Sequence, residues 1–246
     1  MKWYEWVRWF CMPLMTVHLQ TVRKDILELV KKSRDSSNQK FSILDVGGRK
    51  SPYTIGIKAE VTLLDIPQEE GTRTDLNLGF TSEILESIKE KRSNIASLVV
   101  QDMVKSKLKD ESYDAVVCVE VIEHVSRDNA FVENISKVIK KGGWAYFTTP
   151  NGDFIKNEGP NKNKDHIRHY TKLELSYLLE RYFEYVEIKY AVSTGKYRVM
   201  GLKGFDKKRP FRIFSTIIAN RINKLQSKNM HNISQGTAHL MAVCRK

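Results

Sequence analysis

Four acidic residues each stand where a predicted β-strand ends: Asp45, Asp65, Asp102 and Glu120. The carboxyl ends of parallel strands meet along one edge of a sheet, where such sheets bind their ligands. An acid at the tip of the first strand suits a ligand that carries an ammonium or a sulfonium group. Asp65 can accept hydrogen bonds from both ribose hydroxyls, while Asp102 can receive an adenine amino group and Met103 can lie against the ring. Each acid alone could instead be a strand-end or helix-cap residue, but their order on successive strands predicts one nucleoside site.

A second group of candidate residues follows the fourth predicted strand. If a helix opens there, Glu120, Glu123 and His124 share one face at positions i, i+3 and i+4. Two carboxylates and an imidazole could hold Mg²⁺ or Mn²⁺, and such an ion would lower the pKa of an acceptor hydroxyl. Alternatively, Glu120 contacts ribose or substrate, Glu123 favours the helix N-terminus, and His124 packs on the sheet or acts as a general base.

The elements that must position these residues alternate between strands and helices. Helical periodicity predicts helices over 21–34, 81–91, 129–141 and 173–182, and Gly142-Gly143 is expected to stop the third of them. This alternation predicts an α/β fold, a doubly wound and mostly parallel sheet with helices on both faces and an insertion before the last strand. The apolar runs predict seven strands, over 41–46, 61–66, 97–100, 113–119, 144–149, 185–191 and 239–244.

The loop after the first strand distinguishes between two nucleoside cofactors. A dinucleotide-binding loop has the pattern G-x-G-x-x-G, which lets a pyrophosphate reach a helix N-terminus. Here the sequence is Asp45-Val46-Gly47-Gly48-Arg49, without that pattern, and a carboxylate is poorly placed beside a pyrophosphate. The loop therefore favours S-adenosylmethionine, whose ammonium and sulfonium suit an acidic strand tip.

The chain resembles the class I S-adenosylmethionine-dependent methyltransferases over about residues 40–195. The resemblance implies that Asp45, Gly47 and Gly48 hold the methionine portion of the cofactor. It also implies that Asp65 holds the ribose and that Asp102 and Met103 hold the adenine; Ile66 and Glu120 complete the predicted cofactor site. The chain departs from the family at Arg49-Lys50-Ser51-Pro52, where the third glycine is absent. The matching segments are ILDVGG (43–48), LLDI (63–66), QDM (101–103), YDAVVCVEVIEHV (113–125) and VIKKGGWAYFTTPN (138–151).

Two metal-dependent branches of that family are similar in a shorter segment. The ubiquinone-biosynthesis O-methyltransferases and the 2′-O-methyltransferases of small RNAs carry an E-x-x-E-H segment and a downstream histidine. By this resemblance Glu120, Glu123, His124 and His166 would be metal ligands, with Glu123, His124 and His166 as the catalytic residues. His169 could replace His166. Arg168 and Tyr170 lie on the same loop. They could contact an anionic or planar acceptor, or they could simply anchor the loop.

The division of the chain follows from the same pattern. We expect an N-terminal helical cap over 1–40, an S-adenosylmethionine-binding core over 41–195, a basic insertion over 196–236 and the final core strand over 237–246. A chain of 246 residues is long enough for one such α/β domain with a buried core.

Positive charge is concentrated in the insertion. Segment 196–228 has ten Lys or Arg residues and one acid, Asp206, or +9 of the net +12 of the chain. Such a segment suits nucleic acid, a phosphorylated substrate or an anionic membrane surface, or it is merely a solvated face. An amphipathic helix is predicted within it, over 211–225.

The N-terminus is rich in tryptophan. Trp3, Trp6 and Trp9 would lie along one side of a helix, where we expect them to pack on the core or cover a ligand cleft; the alternative is a membrane interface. Residues 9–22 carry no Asp, Glu, Lys or Arg but are too few for a membrane span. Cys118 and Cys244 are predicted to be core thiols, which suits a reducing, cytoplasmic compartment.

The leading hypothesis is O-methylation of a small-molecule or glycan-like acceptor. The first alternative is a metal-dependent RNA 2′-O-methyltransferase that uses the basic segment for binding. The second is a peripheral membrane protein that modifies a lipid-linked acceptor. A binding module without enzymatic activity is the remaining possibility. The sequence indicates no oligomeric state.

Overall fold

A seven-stranded sheet forms the centre of the protein. The computed structural model describes residues 1–34, 40–48, 51–66, 82–202 and 210–246. The strand order is β3-β2-β1-β4-β5-β7-β6, with β7 antiparallel to β5 and β6 and the other pairs parallel. The predicted doubly wound, mostly parallel fold is thus confirmed. The strands are β1 Ser42–Val46, β2 Glu60–Asp65, β3 Ile95–Val100, β4 Tyr113–Val119, β5 Ile139–Pro150, β6 Tyr185–Ser193 and β7 Thr237–Arg245.

Helices cover both faces of the sheet. Leu44 and Val116 belong to the core layer that includes α4 and α5, whereas Ile43 and Val117 belong to the layer that includes α2. Neighbouring residues of one strand thus enter opposite layers, which is why the central strands are continuous apolar runs. The helices are α1 Trp3–Phe10, α2 Val17–Ser33, α3 Ser82–Lys91, α4 Asp128–Val138, α5 Lys172–Glu180, α6 Lys196–Leu202 and α7 Pro210–Gln226.

The two glycines expected to stop a helix lie inside a strand instead. Helix α4 ends at Val138, and β5 begins at once with Ile139, which pairs with Tyr113 before the register shifts. Gly142 has φ 75, in the left-handed region, and its amide donates to the Lys246 carbonyl at 2.9 Å. The prediction of a helical stop was wrong because an irregular strand and a helix end both use glycine at positive φ.

Helix α1 is attached to the protein by its polar side. Glu5 is fully buried, and its carboxylate accepts from the Ser93 amide at 2.9 Å and the Ser93 hydroxyl at 2.6 Å. Trp3 and Trp6 are 81% and 61% exposed, so the expectation that they pack on the core was wrong. Only Trp9 has the expected packing, with the Arg23 guanidinium 3.2 Å from its ring centre. Within the described ranges, no helix is long and apolar enough to cross a membrane.

Candidate active site

A cavity of about 600 Å³ opens at the carboxyl ends of β1, β2 and β4. Gly48 is not among its lining residues; a side chain at that position would meet Leu63 of β2 at 3.0 Å, so Gly48 packs against the sheet. Ser51, Tyr53, Ser126 and Phe131 also line the cavity, none of which was predicted as a cofactor residue. The predicted cofactor residues in its wall are Asp45, Gly47, Asp65, Ile66, Asp102, Met103 and Glu120.

The loop after β1 is held close to the cavity by Asp45. The Asp45 carboxylate is buried and accepts from the Ser51 hydroxyl at 2.7 Å and the Thr54 hydroxyl at 2.5 Å. Burial raises the pKa of Asp45 despite these two donors. Gly47 has φ 72, and a side chain there would come within 2.5 Å of Val121 Cγ2. Only glycine fits this close approach of the loop to the segment after β4.

The acids after β2 and β3 line the same cavity. Asp65 accepts a hydrogen bond from the Ile66 amide at 2.9 Å. Asp102 caps a short 3-10 turn by accepting from the Val104 amide at 2.8 Å. It therefore caps this turn and lines the cavity at the same time. Met103 is buried beneath this turn.

The segment after β4 does not open a helix. Glu120 has φ 55, in the left-handed region, a 3-10 turn covers Ile122–His124, and α4 begins at Asp128. The helical face expected for Glu120, Glu123 and His124 therefore does not form. The four predicted metal ligands divide between two clusters.

The first cluster consists of Glu123, His124 and His166, here called the Glu123 cluster. One ligating atom from each lies within 4.8 Å of the others. The Glu123 side chain is fully buried, and neither carboxylate oxygen has a hydrogen-bond partner among the described residues. Burial and the nearby Glu120 raise the pKa of Glu123. The Thr149 hydroxyl lies near enough to favour the ionised form slightly but does not complete a hydrogen bond to it. An unpaired buried carboxylate is costly and calls for a ligand.

Hydrogen bonds to backbone carbonyls fix the histidine tautomers of this cluster. His124 Nδ1 lies 2.8 Å from the Asp165 carbonyl, and His169 Nδ1 lies 2.7 Å from the Ile155 carbonyl. A carbonyl only accepts, so each of these Nδ1 atoms carries the proton. In the neutral imidazole, His169 Nε2 is then an acceptor, and His166 Nδ1, 2.7 Å away, donates to it. His124 and His166 are thereby left with a lone pair on Nε2, as in metal sites.

The charge state of His166 is consistent with this tautomer. Burial and the neighbouring His124 and His169 lower the pKa of His166 to about 4, so the imidazole is neutral at neutral pH. The donor set of one carboxylate and two imidazoles fits a divalent cation.

The second cluster consists of His18, Glu120 and His239, here called the Glu120 cluster. Glu120 Oε1 accepts from the Thr148 hydroxyl at 2.8 Å and lies 3.2 Å from His239 Nδ1. Arg198 lies 3.2 Å from His239 Nε2. A guanidinium only donates, so His239 Nε2 accepts and Nδ1 carries the proton that it donates to Glu120. His239 therefore has no lone pair to offer a cation in this arrangement.

His18 completes the Glu120 cluster from the start of α2. Its Nε2 lies 3.6 Å from Glu120 Oε1, and its ring stacks on that of His239 with centres 4.2 Å apart. Burial, with His239 and Arg198 nearby, lowers the pKa of His18 to about 3. Burial opposes ionisation of Glu120, but His239, His18 and Thr148 hold the pKa of Glu120 below its ordinary value. His18 and His239 were not predicted as site residues, because neither belongs to a recognisable sequence motif.

Arg168 and Tyr170 anchor their loop. Arg168 pairs with Asp128 and donates to the Ser126 carbonyl at 3.1 Å. The Tyr170 hydroxyl donates to the same Asp128 carboxylate at 2.8 Å. These contacts support the anchoring alternative given above.

Sequence comparisons place the chain among known proteins. Residues 44–147 match the family described as methyltransferase domain. The mitochondrial ubiquinone biosynthesis O-methyltransferase of Dictyostelium discoideum is 32% identical over 119 residues, 47% of this chain and 37% of that protein. The enzyme of the same name from Hydrogenovibrio crunogenus is 28% identical over 131 residues, 52% of this chain and 49% of that protein. The chain thus spans at most about half the length of these curated relatives.

Solved structures show the same fold. Phosphoethanolamine N-methyltransferase 2 of Haemonchus contortus, bound to S-adenosyl-L-methionine, has a TM-score of 0.56 at 13% identity, covering 91% of this chain and 52% of that one. An S-adenosylmethionine-dependent methyltransferase from Archaeoglobus fulgidus has a TM-score of 0.53 at 14% identity, covering 91% and 94%. The matched segment 44–147, the sheet order and the acid-lined cavity together identify a methyltransferase domain with the class I, S-adenosylmethionine-dependent fold in this chain.

Proposed function

We propose that the protein methylates a hydroxyl oxygen of a small-molecule acceptor, with a divalent cation held by the Glu123 cluster. One observation carries the proposal. The buried Glu123 carboxylate has no hydrogen-bond partner among the described residues, and it lies beside two imidazoles, those of His124 and His166, whose Nε2 atoms are unprotonated. His124 also lines the cofactor cavity. The names of the relatives, ubiquinone biosynthesis O-methyltransferases, favour an aromatic hydroxyl over a sugar hydroxyl.

The reaction transfers a methyl group from sulfur to oxygen. The S–CH₃ bond breaks as the O–CH₃ bond forms, the sulfonium becomes the neutral thioether of S-adenosylhomocysteine, and the hydroxyl proton is released to solvent. A bound cation would lower the pKa of the acceptor hydroxyl, which makes its oxygen a better nucleophile. Asp65, Asp102 and Met103 would hold the nucleoside of the cofactor, and the loop held by Asp45 would position its methionine portion.

Calorimetric titration tests the cation site directly. Mn²⁺ is titrated into chelator-treated protein with S-adenosylhomocysteine bound, and methylation of 3,4-dihydroxybenzoate is followed with and without chelator. We expect Mn²⁺ binding and chelator-sensitive methylation, both lost in His166→Ala. His231→Ala, on an exposed loop residue, is the matched control. Cofactor binding without Mn²⁺ binding contradicts the cation and leaves His124 as the candidate general base.

RNA is a second candidate acceptor, because Arg198 of the basic segment contacts His239 of the Glu120 cluster and so brings that segment to the candidate active site. Single-stranded RNA with a free 3′ end is the probe. Methylation of this RNA, with binding that weakens steeply as salt rises, would favour it. Methylation of 3,4-dihydroxybenzoate without methylation of the RNA would exclude RNA as the acceptor.

A further inference from the structure

Helix α7 has its polar side toward the protein and its apolar side toward solvent. Thr216, Asn220 and Asn223 are buried; the Asn220 amide donates to the Leu14 carbonyl at 3.3 Å, and the Asn223 amide donates to the Ser193 carbonyl at 2.8 Å. On the opposite side, Phe214 and Leu225 are 66% and 72% exposed. An amphipathic helix on a water-exposed surface normally has the reverse arrangement.

Helix α1 has the same inverted arrangement. Its buried residue is Glu5, while Trp3, Trp6 and Phe10 are exposed. Positions 3, 6 and 10 lie on one side of a helix. Large exposed aromatic side chains at helical spacing indicate a surface that is covered in the working protein.

The inverted helices are neighbours in the fold. The turn Met12–Leu14 follows α1 and packs against α7, and α6 packs against α7, with Gly201 directly against Asn220. Val199 and Leu202 of α6 are exposed as well. Three helices that contact one another or a shared turn therefore expose apolar side chains.

The charge around these helices indicates the chemistry of the partner. Arg221 and Lys228 of the α7 segment are exposed, and segment 196–228 carries ten basic residues and one acid. Helices with aromatic and aliphatic residues flanked by Lys and Arg bind the interface of anionic membranes, where apolar side chains enter the acyl boundary and cations meet headgroups. Neither another copy of this basic chain nor a neutral protein surface provides the same charge complementarity.

We propose that the exposed faces of α1, α6 and α7 dock on an anionic lipid bilayer and hold the protein at the membrane surface. The apolar faces supply burial, and the basic residues supply attraction to anionic headgroups. Neither contribution depends on the proposed acceptor or on a bound cation.

Co-sedimentation with vesicles tests the docking surface. The full chain is mixed with vesicles of phosphatidylcholine alone or with equal parts of phosphatidylglycerol, and tryptophan fluorescence is recorded with brominated lipid as quencher. Trp144 is fully buried and Trp9 is packed on Arg23, so quenching would report Trp3 and Trp6. We expect binding to the anionic vesicles with quenching, and binding at least about tenfold weaker to phosphatidylcholine.

Two apolar variants and one control separate docking from general adsorption. Trp3→Ser/Trp6→Ser and Phe214→Ser/Leu225→Ser should each weaken binding at least about tenfold, with circular dichroism unchanged. Leu173→Ser, which replaces an equally exposed residue on α5, should bind like the unmodified chain. Arg221→Glu/Lys228→Glu should weaken binding to anionic vesicles only.

Three results would overturn the proposal. The first is no binding to anionic vesicles. The second is binding that the apolar variants leave unchanged, which would indicate electrostatic adsorption alone. The third is a dimer in light scattering that the apolar variants dissociate while vesicles remain unbound, which would identify the occupant as a second copy.

Discussion

Glu120 and Glu123 belong to one short segment, yet their carboxylates have opposite surroundings. Glu120 accepts from Thr148 and His239, and these groups hold its pKa below the ordinary value against the effect of burial. Glu123 has no such donor among the described residues, and burial raises its pKa. The positive φ of Glu120 and the 3-10 turn after it direct the two side chains into different clusters.

The comparison of the two clusters shows that residues able to bind a metal can lie close together without forming a site suited to a metal ion. In the Glu120 cluster, Arg198 fixes the His239 tautomer so that the imidazole donates into the carboxylate. In the Glu123 cluster the imidazoles have the same tautomer, but their Nδ1 protons are donated to groups outside the cluster, so Nε2 of His124 and of His166 keeps a lone pair that no arginine occupies. Hydrogen bonds outside each cluster therefore decide which one is suited to a cation.

Glu123→Gln should have the largest effect. We expect loss of Mn²⁺ binding and a fall in kcat of at least about 100-fold, because the carboxylate is the anionic ligand of the cluster. The melting temperature of the cation-free protein should not fall, because an unpaired buried carboxylate is removed. Glu120→Gln is the matched control and should keep Mn²⁺ binding. Equal loss of Mn²⁺ affinity in both variants would break the distinction between the clusters.

His169→Leu should weaken Mn²⁺ binding roughly tenfold, the size typical of groups that orient metal ligands. The variant removes the acceptor that fixes the proton on His166 Nδ1, so the population with a free Nε2 falls. Calorimetry measures the affinity, and S-adenosylhomocysteine affinity should stay unchanged. An unaltered Mn²⁺ affinity would mean that His169 does not fix the His166 tautomer that binds the ion.

His239→Ala should lower kcat by about fivefold near neutral pH, since it alters the Glu120 cluster without touching the Glu123 cluster. His239 holds the pKa of Glu120 down, so its removal raises that pKa and more of the carboxylate is protonated as pH falls. The acid limb of kcat/KM should therefore move to higher pH, which a pH profile measures. A profile with an unmoved acid limb would mean that Glu120 ionisation does not limit the reaction.

The smallest expected effect is the release of a proton when Mn²⁺ binds, and it tests the ionisation of Glu123 directly. Because burial raises the pKa of Glu123, its carboxyl group is protonated in the cation-free protein over a wider pH range. Mn²⁺ binding should then release up to about one proton per ion, measured by calorimetry in two buffers of different ionisation enthalpy. The released fraction should decrease as pH rises. Release that does not change with pH would exclude Glu123 as its source.

The sequence predicts the sheet and much of the cavity wall because both depend on local patterns. Continuous apolar runs mark β1 and β4, and each acid at a strand end follows such a run. The Gly142-Gly143 pair was misassigned because its pairing with Lys246 depends on the last strand, which a local pattern does not contain.

The two clusters show where local patterns stop being sufficient. The prediction assumed helical spacing from Glu120 onward. Glu120 instead has a positive φ, a conformation that tertiary contacts such as the Thr148 hydrogen bonds stabilise and that local sequence does not indicate. His239 lies 119 residues from Glu120, and no sequence spacing predicts their contact. The outward aromatic residues of α1 were misassigned because helical periodicity gives a shared side without saying which side faces the protein.

The hydrogen bonds from Ile155 through His169 to His166 connect a surface loop to the atoms proposed to bind a cation. A loop conformation that keeps this chain intact favours the tautomer that binds the ion, and by linkage a bound ion stabilises that conformation by the same factor. Loop order and ion affinity are therefore reciprocal quantities. The rate at which a protease cleaves residues 151–170 should fall as Mn²⁺ rises, which gives a measure of ion occupancy that requires no methyl acceptor.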